Sequence, residues 1–199
     1  MSDERIARAR SIASAGEAAA VYRDWAAGYD DDVFGRLGFT GSARIAELLV
    51  AHLADRSAPV LDLGCGTGAV GVRLAELGLT AIDGVDLSPE MLAIAEGTGA
   101  YRTLSIADLT AGDLQLAGGY GATISAGTFT SGHVGPDAVP RLLRALEPAG
   151  LIAWVIGDGM WPSFEPVLSA SALDVLHAAH EAIRRGAGPE AVMFVARST

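Results

Sequence analysis

Apolar residues recur along this chain at two different periods, and the switching between them predicts helices interleaved with strands. The stretch to about Ser14 is polar and alanine-rich. From Glu17, Val21, Trp25 and Tyr29 fall on one helical face, predicting a helix over 17–29. A second helix is expected over 42–54, where Ile45, Leu48, Leu49, His52 and Leu53 form a stripe that ends before Pro59. The pattern then changes. VLDLG (60–64) is a short apolar run closed by glycine, and AVGVRLAELG after it reads as a helix stopped at Gly78. AIDGVDLS (81–88) repeats the strand, and PEMLAIAEG repeats the helix with proline in its first turn and glycine at its end.

Shorter strands are expected at 101–109 and 120–127, a helix at AVPRLLRALEP (138–148), and a strong strand at GLIAWVIG (150–157). Further on, Leu168, Ala172, Val175, Leu176, Ala179 and Ile183 fit a helical stripe, while LDVLHAAHEAI (173–183) can also be drawn as a strand. The turn-like RRGAGP then leads into a strand at EAVMFVARS (190–198). Strands alternating with helices indicate parallel βαβ units, right-handed crossovers and an α/β three-layer sandwich. No second domain, linker or internal repeat is visible, so 1–199 is expected to be one domain.

Composition narrows the chemistry. With 199 residues, half of them apolar and 19% charged, the chain can bury an ordinary core, and no apolar run reaches the roughly 18 residues a membrane-spanning helix needs. The N-terminal MSDERIARARS supports neither a secretory signal nor an anchor, which makes the cytoplasm the expected compartment. A net charge of -10 disfavours nucleic acid as a partner. All basic residues are arginine, so no lysine is present for a Schiff base or a phosphate-gripping loop. The single cysteine, Cys65, precludes an intrachain disulfide and a multi-cysteine zinc site.

Chemistry concentrates in Asp62-Leu-Gly-Cys-Gly-Thr-Gly68, between a buried strand and a helix, where glycines let backbone approach a ligand closely. A purely structural turn seldom needs three alternating glycines behind a carboxylate. A dinucleotide-binding loop shares the arrangement. From Gly64 the third glycine of its fingerprint falls on Ala69, a tolerated variant, whereas the frame Gly66, Gly68 and Gly71 matches in full. Spacing alone leaves an NAD-dependent oxidoreductase open. Against it, the full match starts late relative to the strand, and neither frame gives Asp62 a role.

The run VLDLGCGTG at 60–68 resembles the first motif of the class I S-adenosylmethionine-dependent methyltransferases, and the resemblance extends over about 20–157. It implies a Rossmann-like, mostly parallel seven-stranded sheet with an antiparallel C-terminal strand. S-adenosyl-L-methionine is then the cofactor and S-adenosyl-L-homocysteine the product. By this resemblance Gly64, Cys65, Gly66 and Gly68 pack under the methionine end, and Asp62 lies near its α-ammonium group. Asp86 in GVDLSPEML would accept the ribose hydroxyls, Leu87 and Met91 would flank the adenine, and Asp108 would receive the adenine amino group beside the apolar wall of Leu109. Singly, each aspartate also fits a loop residue capping its own backbone.

SAGTFTSGHVGP (125–136) stands where the family places residues facing both cofactor and substrate. Ala126 and Gly127 are therefore expected at the cofactor, and Phe129 and His133 at the acceptor. The run is similar to one in methyltransferase-like proteins associated with the Williams-Beuren region. A departure precedes it: many relatives have Tyr-Asp-hydrophobic where this chain has Tyr120-Gly121-Ala122, which weakens the marker for that strand. The family's closing hairpin requires a sixth strand, which favours the strand at LDVLHAAHEAI. Residues 1–55 would form a helical lid, with Tyr22 and Tyr29 closing over cofactor or substrate; core packing accounts for both tyrosines equally well.

Methyl transfer from a sulfonium is a one-step displacement, so in-line positioning in a dry pocket can supply most of the catalysis. His133 is the candidate general base, with loop shaping as the plainer alternative. Trp161 is the candidate for lining the acceptor pocket, against simple burial. His177, His180 and Glu181 lack a complete ligand set, and no metal is expected. Cys65 has no basic sequence neighbour and reads as a packing residue. The expected partners are a small-molecule methyl acceptor and, as an option, a second copy in a homodimer, with no nucleic acid or membrane. An inactive cofactor-binding or regulatory module of the same fold is the alternative function.

Overall fold

The computed structural model describes Arg8 and residues 15–199. The polar stretch to Ser14, and with it the start of the expected 1–55 lid, lies outside the described residues except for Arg8. The first element described along its length, α1 (Ala15–Trp25), runs into a 3-10 turn at Ala26–Gly28 and a π-helical stretch at Asp31–Arg36. Trp25 Nε1 donates to Asp32 Oδ2 at 2.9 Å, tying these turns together. α2 (Gly41–His52) follows, then β1 (Val60–Leu63), α3 (Ala69–Glu76), β2 (Ile82–Asp86) and α4 (Pro89–Gly97). Ser88 caps α4 by accepting from Met91 N, with Pro89 preset for the first turn. The remaining elements are β3 (Thr103–Ile106), β4 (Tyr120–Phe129), α5 (Val139–Leu143), β5 (Leu146–Gly157), α6 (Trp161–Ala170), β6 (Leu173–Glu181) and β7 (Ala191–Ser198).

The seven strands form one sheet in the order β3-β2-β1-β4-β5-β7-β6. β1 to β5 pair in parallel, and β7 is antiparallel to both β5 and β6. This is the expected α/β Rossmann-like sandwich with its closing hairpin. Strand alternation divides the core. Leu151, Ala153 and Val155 of β5 pack with Ile45 and Leu49 of α2 and Leu74 of α3, while Ile152, Trp154 and Ile156 pack with Leu142 of α5 and Phe164 of α6. Both faces of β5 are thus covered, which is why its sequence is a continuous apolar run rather than an alternating one.

The sequence expectation fails in two places. The helix expected over 138–148 contains only one short α-helical piece, and Leu146-Glu147-Pro148 already belong to β5, whose start includes Ala149 at a φ of 64°. α6 is not predicted by the pattern, apart from Leu168 at the head of the alternative helical stripe. β4 forms despite its unusual start: a Cβ at Gly121 would lie 2.6 Å from the Ala58 Cβ, so the missing side chain permits a close approach to the segment before β1. Among the described residues no helix is long and apolar enough to cross a membrane.

Candidate functional site

Parallel strands end together, and the crevice beyond their carboxyl ends is where such sheets bind ligands. Here the loop after β1 is fixed to its neighbours on both sides. Gly64 N and Cys65 N donate to Val85 O of β2 at 2.9 and 3.0 Å. Ser125 Oγ and Thr128 Oγ1 donate to Leu63 O at 2.7 and 3.0 Å. Gly64 has a φ of 70°, and a Cβ there would stand 2.2 Å from Thr128 Oγ1, so only glycine fits. Gly66 also has positive φ (54°), but a Cβ there would meet nothing within 4 Å, because that space belongs to a cavity.

The cavity measures about 250 Å³. Gly64 and Gly66 form its floor, with Asp86, Leu87 and Met91 at the end of β2 and the start of α4, and Asp108 and Leu109 after β3. Ala126, Gly127 and His133 come from the segment after β4, and Tyr22 and Tyr29 from the N-terminal helical segment. Sequence reasoning missed Ala18, Ser88, Ala107, Thr110, Thr128, Gly132 and Val134, which also line it. Each lies within a few residues of a predicted one, and only the fold tells which neighbours turn inward.

Several expected residues do not line the cavity. Asp62 and Cys65 are buried behind the loop, and Gly68 packs against Ala95 and Tyr101. Phe129 is fully buried between Trp154 and Phe164, with ring centroids 4.9 and 5.3 Å away, so it has no surface to offer an acceptor. Trp161 opens α6 and packs against Phe194 at 5.8 Å. Both belong to the core face formed by α5 and α6.

Asp86 has each carboxylate oxygen anchored, Oδ2 accepting from Gly66 N at 2.8 Å and Oδ1 from Ser88 N at 2.9 Å. Burial nevertheless pushes its carboxyl above the ordinary carboxylate range, against these bonds. Asp108 accepts from Thr110 N and Thr110 Oγ1 through Oδ1 alone, a self-capping turn that leaves Oδ2 for other partners. Asp62 accepts from the Tyr101 hydroxyl at 2.7 Å through Oδ2, while its buried Oδ1 has no hydrogen-bond partner among the described residues. Burial pushes the Asp62 carboxyl up to about 7, opposed by the Tyr101 bond and reinforced by Asp86. The Cys65 thiol is also pushed up by burial, which keeps it un-ionised and unreactive.

Over the cavity, Tyr22 Oη lies 2.7 Å from His133 Nε2. His133 Nδ1 lies 3.1 Å from both Ser131 O and Thr130 Oγ1; in the tautomer with the proton on Nδ1, given to the Ser131 carbonyl, Nε2 accepts from Tyr22. Burial holds the imidazole below its ordinary pKa and therefore neutral. Burial likewise pushes the Tyr22 phenol up, and the Tyr29 phenol to about 12, so both remain donors. Thr67 Oγ1 donates to Asp30 Oδ1 at 2.6 Å, which ties the N-terminal segment to the glycine loop as well. The described lining carries two carboxylates and no cationic side chain.

His177, His180 and Glu181 do not converge. Glu181 is held by a two-pronged bond from Arg44 and by His177, whereas His180 meets Asp158. Among the described residues no group of three or more His, Cys, Asp or Glu side chains is arranged around a metal position.

Sheet order and crevice define a class of protein. The chain shares its fold with a TehB-like S-adenosylmethionine-dependent methyltransferase from Corynebacterium glutamicum (TM-score 0.68, 23% identity, covering 90% of this chain and 99% of that one). It also shares it with magnesium protoporphyrin IX methyltransferase from Synechocystis, crystallised with S-adenosylmethionine bound (TM-score 0.66, 17% identity, covering 90% and 96%). Residues 60–150 match the methyltransferase domain family. Human methyltransferase-like protein 27 is 32% identical over 151 residues, which span 74% of this chain and 61% of that protein. The chain thus has a methyltransferase-domain match over 60–150 and the fold of S-adenosylmethionine-dependent methyltransferases. It spans less than two thirds of the length of the human relative.

Proposed function

We propose that the chain binds S-adenosylmethionine above its glycine loop and transfers the methyl group, by in-line displacement, to a small-molecule acceptor. The observation that carries this is the charge of the cavity: a glycine loop flanked by Asp86 and Asp108, with no cationic side chain among the described lining residues. A ligand bearing a sulfonium and an ammonium suits that field, whereas a pyrophosphate is repelled by it. The full Gly66-Gly68-Gly71 frame of the dinucleotide alternative loses two of its glycines as well, because Gly68 and Gly71 face the Tyr101 ring instead of the cavity.

The cofactor supplies the electrophilic methyl group on a positively charged sulfur. The residues then divide the remaining work. Asp86 receives the ribose hydroxyls on the lone pairs its two backbone bonds leave, Leu87 and Met91 cover the adenine, and Asp108 Oδ2 takes the adenine amino group with Leu109 as the wall. Asp62 faces the ammonium from behind the loop. Tyr22 and Tyr29 exclude water from above, and Tyr22 passes an acceptor's proton to Nε2 of neutral His133, its hydroxyl accepting as it donates. Titration calorimetry with S-adenosylhomocysteine and NAD tests the site: binding of the former alone is expected, and the proposal fails if NAD is preferred. Release of S-adenosylhomocysteine from S-adenosylmethionine over a panel of candidate acceptors tests the transfer. An inactive cofactor-binding module would release none.

A further inference from the structure

Tyr101 has a place in this molecule that the cofactor motif does not explain. It stands just before β3, its ring seated in a slot that glycines leave open. A Cβ on Gly71 would lie 2.2 Å from Tyr101 Cζ, one on Gly84 would lie 3.0 Å from Cδ1, and one on Gly68 would lie 3.1 Å from Cε2. At the end of the slot the hydroxyl donates to Asp62 Oδ2 at 2.7 Å and accepts from Gly71 N at 3.1 Å. Asp62 is therefore held by one oxygen, and the other is buried with no hydrogen-bond partner among the described residues. Leaving a buried carboxylate oxygen without a protein donor is unfavourable, and such an atom in a native fold marks a place for a water or a ligand group.

We propose that Tyr101 is a positioning residue for ligand binding: by holding Oδ2 of Asp62, it orients the buried carboxylate so that its charge faces, from behind the glycine loop, the ammonium group of an amino-acid-bearing ligand. This rests on the proposal that the cavity takes S-adenosylmethionine. The titratable groups around Asp62 are Tyr101, Asp86 and Cys65. Cys65 stays a thiol, Asp86 opposes a second negative charge, and the Tyr101 bond is the contact that favours ionised Asp62. Without the hydroxyl the carboxylate loses its fixed orientation and also holds its proton to higher pH.

The experiment is calorimetric titration from about pH 6 to about pH 9, spanning the proton uptake of a carboxyl raised to about 7. The ligands are S-adenosylhomocysteine and 5′-methylthioadenosine, which shares the adenosine and thioether but has no ammonium group. Tyr101→Phe should weaken S-adenosylhomocysteine about tenfold, the value of one charge-assisted hydrogen bond. It should leave methylthioadenosine unchanged and move the acid limb of S-adenosylhomocysteine binding to higher pH. Equal weakening of both ligands, or of neither, overturns the proposal. The double variant Tyr101→Phe/Asp62→Asn removes both partners and so keeps the test open if Tyr101→Phe folds poorly. It should bind S-adenosylhomocysteine no more weakly than Asp62→Asn alone, and any further loss also overturns the proposal. Failure of the unaltered protein to bind S-adenosylhomocysteine would instead reject the cofactor assignment itself.

Discussion

The hydroxyl of Tyr22 and the Nε2 of His133, 111 positions apart in the chain, meet at 2.7 Å over the mouth of the cavity. One belongs to α1 and the other to the segment after the fourth strand, so this bond joins the N-terminal segment to the sheet. A neutral hydrogen bond of this kind contributes about 1 kcal/mol. Tyr22→Phe should therefore speed release of bound S-adenosylhomocysteine about fivefold and leave association little changed. Trp25, stacked on Tyr22 with ring centroids 6.3 Å apart, provides the fluorescence signal for stopped-flow measurement.

The same histidine gives an acid-side signature. Its folded pKa lies below the ordinary 6.5 because burial disfavours the imidazolium. Between the two values the unfolded chain binds the proton and the folded chain does not. Stability is thus fully present above about pH 6.5 and is lost as pH falls through the folded value. Thermal melts of His133→Gln should lack that component. If His133 is also the terminal proton acceptor, its loss should lower kcat by about a hundredfold and remove the acid limb of the rate profile. A variant with unchanged kcat would leave His133 with loop shaping alone.

Asp62 has the opposite sign. Its carboxyl is raised to about 7, so the folded protein holds a proton that the unfolded chain has already lost. The stabilisation this brings is complete below about pH 4 and disappears as pH rises through about 7. Asp62→Asn, which cannot ionise, should make the ligand-free protein more stable at about pH 8, by on the order of 2 to 4 kcal/mol, while weakening S-adenosylhomocysteine. A melting temperature several degrees higher is the expected observation. A lower one would mean that Asp62 is held ionised by contacts stronger than the Tyr101 bond.

Two glycines of one loop should respond differently to alanine. At Gly64 the new methyl group collides with Thr128 Oγ1, and the φ is unfavourable as well, so Gly64→Ala should lose several kcal/mol of folding stability. Gly66→Ala carries only the backbone cost, about 1 to 2 kcal/mol, and leaves a folded protein whose cavity is partly filled. Denaturant melts separate the two, and calorimetry on Gly66→Ala should show cofactor binding sharply reduced.

The strands and the glycine loop were legible because local pattern determines them: an apolar run buried on both faces, a forced turn, then a helix start. β6 was ambiguous for a physical reason. Its pairing with β7 slips between Val175 and His177, and one extra residue converts a two-residue alternation into spacing that also suits a helix. Leu142 to Leu146 extend the helical stripe of α5 in sequence, yet Leu146 pairs with Tyr120 in the sheet, so tertiary pairing overrode the local preference. Asp86 and Asp108, expected at the site from the family resemblance, both line the cavity. Tyr101 could not be named from the sequence, since its role exists only once β3 lies beside β2 and the glycines of two other elements open a slot for it. Phe129 and Trp161 were misplaced because an aromatic residue near a site looks the same in sequence whether it faces the ligand or the core.

The bond from Thr67 to Asp30 has a kinetic meaning as well. Together with the Tyr22 contact it fastens the N-terminal segment to the cavity at two separate points, one on the glycine loop and one after β4. Both contacts must be broken before this segment can swing away from the cavity, so neither alone sets the cost of opening it. Loss of both contacts together, in Tyr22→Phe/Thr67→Val, should therefore speed release of S-adenosylhomocysteine more than either change alone.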